Sequence, residues 1–302
     1  MADWDRLFLR YFLLARQKKV TSCRATPDGF DLPLTPTLSL KGRGSNCRVH
    51  LGLGRIPPMT TLNIVTYNIH KGLSQFNRRV VLHELRDRLR ELGADIVFLQ
   101  EVQGERLVSR HVDDTGQPQH EFLAHEIWPH HAYGMNAVYD NGHHGNAIIS
   151  RYPILRWDNQ DISAHGLESR GLLHCEIALP DQAQPLHCLC VHFGLFKRGR
   201  GLQFNALVER IRRMVPEDAP LVIAGDFNDW NNHASHLLAQ ELNLHEVFEA
   251  HGGKLARSYP ARLPMLRLDR IYVRGLEIQR CELHPWRKVS DHVALSATLV
   301  LA

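Results

Sequence analysis

The sequence has no uninterrupted apolar run of about 18 residues, so no membrane-spanning helix is indicated. Its longest apolar stretch, LFLRYFLLA from Leu7 to Ala15, is short and is broken by Arg10. Asp3 and Asp5 precede that stretch, where a secretory signal carries positive charge, so such a signal is not expected. There is also no CxxC pair among the six cysteines, Cys23, Cys47, Cys175, Cys188, Cys190 and Cys281. Cys188 and Cys190 alternate with Leu189 and Val191 as strand residues do. The six read as reduced thiols used as small apolar side chains in a cytoplasmic protein.

Excess positive charge is missing from most of the chain. The formal +4 comes from residues 1–58, which hold ten Lys/Arg against four Asp/Glu. Residues 59–302 hold 26 against 28, a net of −2. Global charge therefore gives no support for tight, sequence-independent binding of nucleic acid.

What is present is an ordinary globular composition, 44% apolar, in a chain long enough for one large domain or two small ones. Residues 26–48, TPDGFDLPLTPTLSLKGRGSNCR, hold no sustained period of 2 or 3.6. Such a segment cannot bury enough apolar surface to offset its ordering entropy. Residues 1–58 are thus expected to be a disordered arm or a misassigned upstream extension, with Met59 as the natural start. Residues 59–302 read as a single domain with no internal linker.

From Leu62 the pattern is regular. LNIVTYNI (62–69) is β-branched and alternating, a strand. The spacing of Val81, Leu82, Leu85, Leu89 and Leu92 predicts a helix from about Arg78 to Leu92, capped by Asn77 and stopped by Gly93. Strands are expected at 95–101, 145–151, 172–179, 186–193, 220–226, 268–273 and 293–301. Gln203 to Val215 has the apolar face of an amphipathic helix. Many strands with few, separated helices imply a layered α/β or α+β domain.

Four of these strands share an oddity. Each apolar run stops, or starts, at polar residues able to hold a cation or a phosphate. TYN ends at Asn68, FLQE at Glu101, and GDFN carries Asp226 and Asn228. SDH places Asp291 and His292 just before the last strand. Singly, each is also what a turn looks like. Jointly they supply hard oxygen ligands suited to Mg²⁺ or Mn²⁺, with a histidine that can move protons near neutral pH.

The motifs TYNIHKG (66–72), IVFLQEV (96–102), HGNAIISRYP (144–153), CVHFG (190–194), IAGDFN (223–228), RLDRIYV (267–273) and VSDHVAL (289–295) together resemble the endonuclease/exonuclease/phosphatase superfamily, in its order. The resemblance implies a DNase I-like four-layer sandwich: two packed mixed β-sheets flanked by helices. It implies Asn68, Glu101 and Asp291 at the metal, and Asp226 orienting or deprotonating water. It also implies Asn228 on a phosphate oxygen, and His292 with its tautomer fixed by Asp269. His192 is the second histidine at the phosphate. The division of acid and base roles among Asp226, His192 and His292 stays open.

Arg170 reads either as a phosphate-facing arginine or as a surface arginine in a turn. His143 and His144, being adjacent, point apart and fit a site rim better than a zinc site. Lys71, Arg78 and Arg79 either line an anionic pocket or solvate a loop and helix turn. KRGR (197–200) is either a head-group contact or a solvated loop. Asp229 and Trp230 follow GDFN without a role. The implied activity is a Mg²⁺-dependent phosphodiesterase or nuclease. The alternatives are a phospholipid head-group or inositol-phosphate phosphoesterase, and an inactive member serving as a binding module. A monomer without a stable protein partner is expected.

Overall fold

The computed structural model describes residues 61–74, 81–106, 117–139, 142–166, 168–230 and 232–301. The expectations for residues 1–58, Asn77, Arg78 and Arg79 lie outside these. Among the described residues, twelve strands form two sheets. The first holds β1 (Thr61–Asn68), β2 (Ile96–Arg106), β3 (His130–Tyr139), β4 (Gly142–Ser150), β11 (Leu276–His284) and β12 (Ala294–Leu301), in the order β11-β12-β1-β2-β4-β3. The second holds β5 (Ile154–Asp161), β6 (Gly171–Ile177), β7 (Leu186–His192), β8 (Leu221–Asp226), β9 (His245–Glu246) and β10 (Asp269–Arg274), in the order β5-β6-β7-β8-β10-β9.

Each sheet contains one parallel pair, β1–β2 and β7–β8, among antiparallel neighbours. That arrangement positions the site. A parallel pair brings two strand C-termini to the same end of a sheet, and an antiparallel neighbour begins there. β1 ends at Asn68, and β12 starts just after Asp291 and His292. β7 ends at His192, β8 ends at Asp226, and β10 starts at Asp269.

The strands alternate as the pleat requires. Leu62, Ile64, Phe98 and Ile148 of the first sheet meet Leu173, Cys188, Val222 and Ile271 of the second in the central core. Val65, Tyr67 and Val97 face the opposite way, under α1 (Leu82–Glu91) and α2 (Gln119–Ile127), which contribute Leu85, Leu89 and Leu123. Leu189, Val191 and Ile223 lie under α3 (Lys197–Met214) and α4 (His233–Leu242), beside Phe204, Leu207 and Ile211. A short α5 (Val247–Gly252) packs at the edge. The result is helix, sheet, sheet, helix: the expected four-layer α+β sandwich.

Several boundaries differ from the sequence reading. α1 starts at Leu82, after Val81 leaves helical geometry, although Gly93 stops it at φ 58 as expected. β2 runs on past Glu101 to Arg106, through a bulge between Leu99 and Val102. α3 begins at Lys197, so KRGR is the first helical turn and not a loop. The Arg200 guanidinium holds it there by donating to the Gly194 and Leu195 carbonyls at 3.2 and 2.6 Å. Gly199 sits close against Ala164, which compensates for its low helix propensity. β3, β5, β9, β11, α2, α4 and α5 were not anticipated; their apolar patterns are weak, and neighbouring elements supply the packing that selects them.

Candidate active site

Register alone places three of the expected residues in a row. His192 is the direct partner of Asp226 across β7 and β8, and Asp226 is the direct partner of Asp269 across β8 and β10. His292 completes this cluster from the start of β12. Its Nδ1 lies 2.8 Å from Asp269 Oδ2, and its Nε2 lies 3.8 Å from Asp226 Oδ2. His192 Nε2 approaches the same Asp226 oxygen from the other side at 3.5 Å. All four side chains are buried.

The first sheet adds the metal-type residues. Asn68 Nδ2 donates to Asp226 Oδ2 at 3.2 Å and to Glu101 Oε1 at 3.4 Å, so this amide bridges the two sheets. Its Oδ1 accepts from the His70 amide at 3.1 Å, which fixes the orientation of the group. Glu101 sits in the bulge at φ 57, and that left-handed backbone redirects its side chain at the strand end. Asp291 Oδ1 accepts from the Ser290 hydroxyl at 3.3 Å and lies 3.5 Å from His70 Nδ1. Ser290 also donates to the Asn68 carbonyl at 2.7 Å, tying β1 to the turn before β12.

Two residues apart on a continuing strand, Asp226 and Asn228 would point the same way. β8 stops at Asp226, and Asn228 has φ 47, so the two do not project side by side from one continuing strand. Instead the Asn228 amide donates to Asp226 Oδ1 at 3.0 Å, and its Nδ2 donates to the Phe193 carbonyl at 2.9 Å. Phe227 between them is fully buried against Phe193, Phe204 and Tyr272. That burial, about 2–3 kcal/mol for such a ring, anchors the loop that carries the polar pair. Gly225 lets two strands approach closely: at φ 148, a Cβ there would lie 2.0 Å from the Val191 carbonyl oxygen on β7.

Electrostatics separate the two histidines. Burial opposes charge on both. At His292 the Asp269 carboxylate and its hydrogen bond, with Asp226 and Asp291 nearby, outweigh burial and raise the pKa well above that of free imidazole. At His192 burial dominates, Arg170 adds to it, and the ring is held neutral. Burial raises Asp226, Asp269 raises it further, and His292 opposes both. Burial also acts to raise Glu101, but Lys71 and the surrounding histidines outweigh it and hold the carboxyl below its usual range.

Arg170 stands just ahead of β6 and acts electrostatically on both His192 and His144. Its backbone amide is fixed by the Ser163 hydroxyl at 3.0 Å. His144 is buried on β4, stacks on Tyr139, and lies in the field of Lys71, Glu101 and Arg170. His143 instead turns to the Tyr133 hydroxyl at 2.9 Å, so the two histidines diverge as expected. Lys71 acts electrostatically on Glu101 and His144, and its Nζ lies 5.7 Å from the Tyr139 ring.

Sequence reasoning missed Tyr259, whose ring lies 4.9 Å from His292. It also missed the polar seam beneath the site. Asn146 Nδ2 donates to the Gly171 and Cys190 carbonyls, and Gln100 Nε2 donates to Thr66 Oγ1. Within apolar strands Asn146 and Gln100 carried no pattern, and nothing local marked Tyr259.

Asp226, Asp269 and His292 are close enough to enclose a metal ion. The 2.8 Å Asp269–His292 contact and their burial argue for a hydrogen-bonded relay, because Mg²⁺ keeps several waters. Glu101 and Asp291 are only partly buried and offer carboxylate oxygens, and Asn68 meets Glu101 through its Nδ2. That donor set fits a hard divalent cation.

Two packed six-stranded mixed sheets with this cluster at their strand ends define a protein of the DNase I-like class. The chain belongs to the Endonuclease/Exonuclease/phosphatase family, whose model matches residues 65–292. It is 45% identical over 246 residues to the uncharacterized protein YbhP of Escherichia coli (strain K12), covering 80% of this chain and 97% of YbhP. An endonuclease/exonuclease/phosphatase structure from Beutenbergia cavernae superposes with a TM-score of 0.68 at 18% identity, covering 80% of this chain and 72% of that one. D. rerio TDP2 complexed with single strand DNA product superposes at 0.60 and 19% identity, covering 80% and 99%. Family members of this fold are hydrolytic phosphoesterases.

Proposed function

We propose that the protein is a divalent-metal-dependent phosphodiesterase that cleaves by in-line attack of water. The observation that carries this reading is the surrounding of Asp226. One buried carboxylate oxygen is reached by Asn68 at 3.2 Å and flanked by His192 and His292 at 3.5 and 3.8 Å. In this reading Asp226 orients the water and takes its proton as the new P–O bond forms. His292, held by Asp269 and favoured as the cation, gives a proton to the leaving oxygen as the old bond breaks. His192, kept neutral, donates a hydrogen bond to the phosphate, as does the second amide hydrogen of Asn228. Arg170 and Lys71 add positive charge where negative charge builds. Glu101 and Asp291, with the Asn68 oxygen, would hold Mg²⁺ or Mn²⁺, which supplies charge neutralisation at a phosphate oxygen when bound.

The substrate is read as a diester of nucleic acid or of phospholipid type. The test is hydrolysis of bis(p-nitrophenyl) phosphate, nicked DNA, RNA, phosphatidylglycerol and inositol phosphates by the full chain with Mg²⁺ or Mn²⁺. Asp226→Asn is expected to lower kcat on any cleaved diester about a thousandfold. Equal rates in the variant, or no cleavage of any member, would overturn the reading.

A further inference from the structure

Among the described residues, five of the nine exposed large apolar side chains belong to the segments that frame the Asp226 cluster. Phe196 is the residue before α3 and Leu202 lies in its second turn, four and ten residues after His192. Trp230 is two residues past Asn228. Leu263 and Met265, 67% and 52% exposed, lie in the loop between Tyr259 and Asp269. These segments are joined beneath the surface. The fully buried Arg270 donates to the Arg267 carbonyl on one side and to the Asp229 carbonyl, at 3.0 Å, on the other. The Arg200 guanidinium packs 4.6 Å from the Trp230 ring. The Ala261 amide donates to the Asp291 carbonyl at 2.7 Å, holding the 260s loop to the site.

Charge is segregated to the same place. Residues 193–208 contain Lys197, Arg198 and Arg200 and no acidic residue. Residues 250–268 contain Lys254, Arg257, Arg262 and Arg267 and no acidic residue. The domain as a whole is net acidic, so these two stretches are basic by contrast; the carboxylates acting on Arg200 are Asp229, Asp226 and Glu168. Lys197, Arg198, Arg257 and Arg262 are exposed beside the exposed Phe196, Leu202, Leu263 and Met265. Flat nucleic-acid readers pair basic residues with stacking aromatics. Here three of the five exposed side chains are aliphatic, Leu202, Leu263 and Met265, and both segments carry exposed Lys or Arg. That is the chemistry of insertion into an anionic bilayer surface.

We propose that this rim docks the site onto an anionic phospholipid membrane, so that the phosphodiester attacked is a lipid head group presented at the bilayer surface. The inference deepens the phosphodiesterase reading and rests on it for the chemistry, but not for the docking. Phe196, Leu263 and Met265 enter the interface, while Lys197, Arg198 and Arg262 meet lipid phosphates.

Vesicle flotation tests it with the full chain, comparing phosphatidylcholine alone with an equal mixture of phosphatidylcholine and phosphatidylglycerol. Binding is expected to the mixed vesicles and to fall with salt. Lys197→Glu with Arg198→Glu is expected to weaken it by roughly fivefold or more per charge removed. Phe196→Ser with Leu263→Ser and Met265→Ser is expected to weaken it by about tenfold or more. Both variants should keep wild-type rates on bis(p-nitrophenyl) phosphate, which also shows that they fold. Absence of vesicle binding, or unchanged binding in both variants, overturns the docking. So does loss of single-stranded DNA binding in the variants while vesicle binding stays intact. Docking failure with diester cleavage intact leaves the phosphodiesterase reading standing. Docking with no diester cleaved sinks that reading and keeps the surface.

Discussion

The His292 imidazole rests 2.8 Å from the Asp269 carboxylate, with both side chains buried at the junction of the two sheets. Nδ1 donates to Asp269, so Nε2 is the nitrogen that faces Asp226. The two groups come from different sheets, and the contact exists only because the sheets are packed. Asp269 acts through His292, as a positioning residue.

Asp269→Asn therefore lowers kcat about a hundredfold with a smaller change in KM. The amide cannot stabilise the imidazolium, so the fall should be accompanied by a lower His292 pKa. NMR titration of the His292 ring checks this. An unchanged pKa would assign Asp269 a purely structural role.

Glu101→Gln removes the carboxylate from the open side of the site while keeping its shape. Calorimetric affinity for Mg²⁺ or Mn²⁺ is expected to fall at least about tenfold. Chelation of the wild type is expected to abolish hydrolysis, with recovery on adding back Mg²⁺. Full activity in chelator would exclude a metal role.

Gly225→Ala combines an unfavourable φ of 148 with a Cβ 2.0 Å from the Val191 carbonyl oxygen. That oxygen belongs to the backbone of a central strand and cannot swing aside. A loss of about 3 kcal/mol is expected. The urea midpoint measures it, and a loss under about 1 kcal/mol would show that β7 and β8 can separate.

Glu246 is buried at the N-cap of α5, where its side chain accepts from the Glu249 amide at 2.7 Å. Burial raises its pKa to about 7, against the helping hydrogen bond and Arg270. A raised carboxyl contributes stability in full below its unfolded value near 4.5, and loses it as pH rises through 7. Glu246→Gln keeps an accepting oxygen without the charge. Its Tm should exceed the wild-type Tm at pH 8 and match it near pH 4. A constant offset across that range would show that ionisation is not the cause.

Much of this was legible in the chain. Strand alternation marked the ends at Asn68, Asp226 and before Asp291, because period-2 burial and a polar stop are local properties; at Glu101 the strand bulges and runs on to Arg106. The family order of those motifs carried the fold. The start of α3 was not legible, because Gly199 and Gly201 argue against a helix. It forms because Arg200 grips the Gly194 and Leu195 carbonyls. Tyr259 was invisible because its place beside His292 comes from a loop packed across sheets.

By itself, then, the sequence determined which residue types stand at which strand ends, and hence the donor chemistry available. The tertiary structure decided which of them meet. The parallel pairs β1–β2 and β7–β8 turn strand C-termini to common edges, and sheet packing presses those edges together. Burial at that junction then separates His192 from His292 electrostatically. It does so because the energy of a charge depends on the water and the partners around it, and those are set only once the chain has folded.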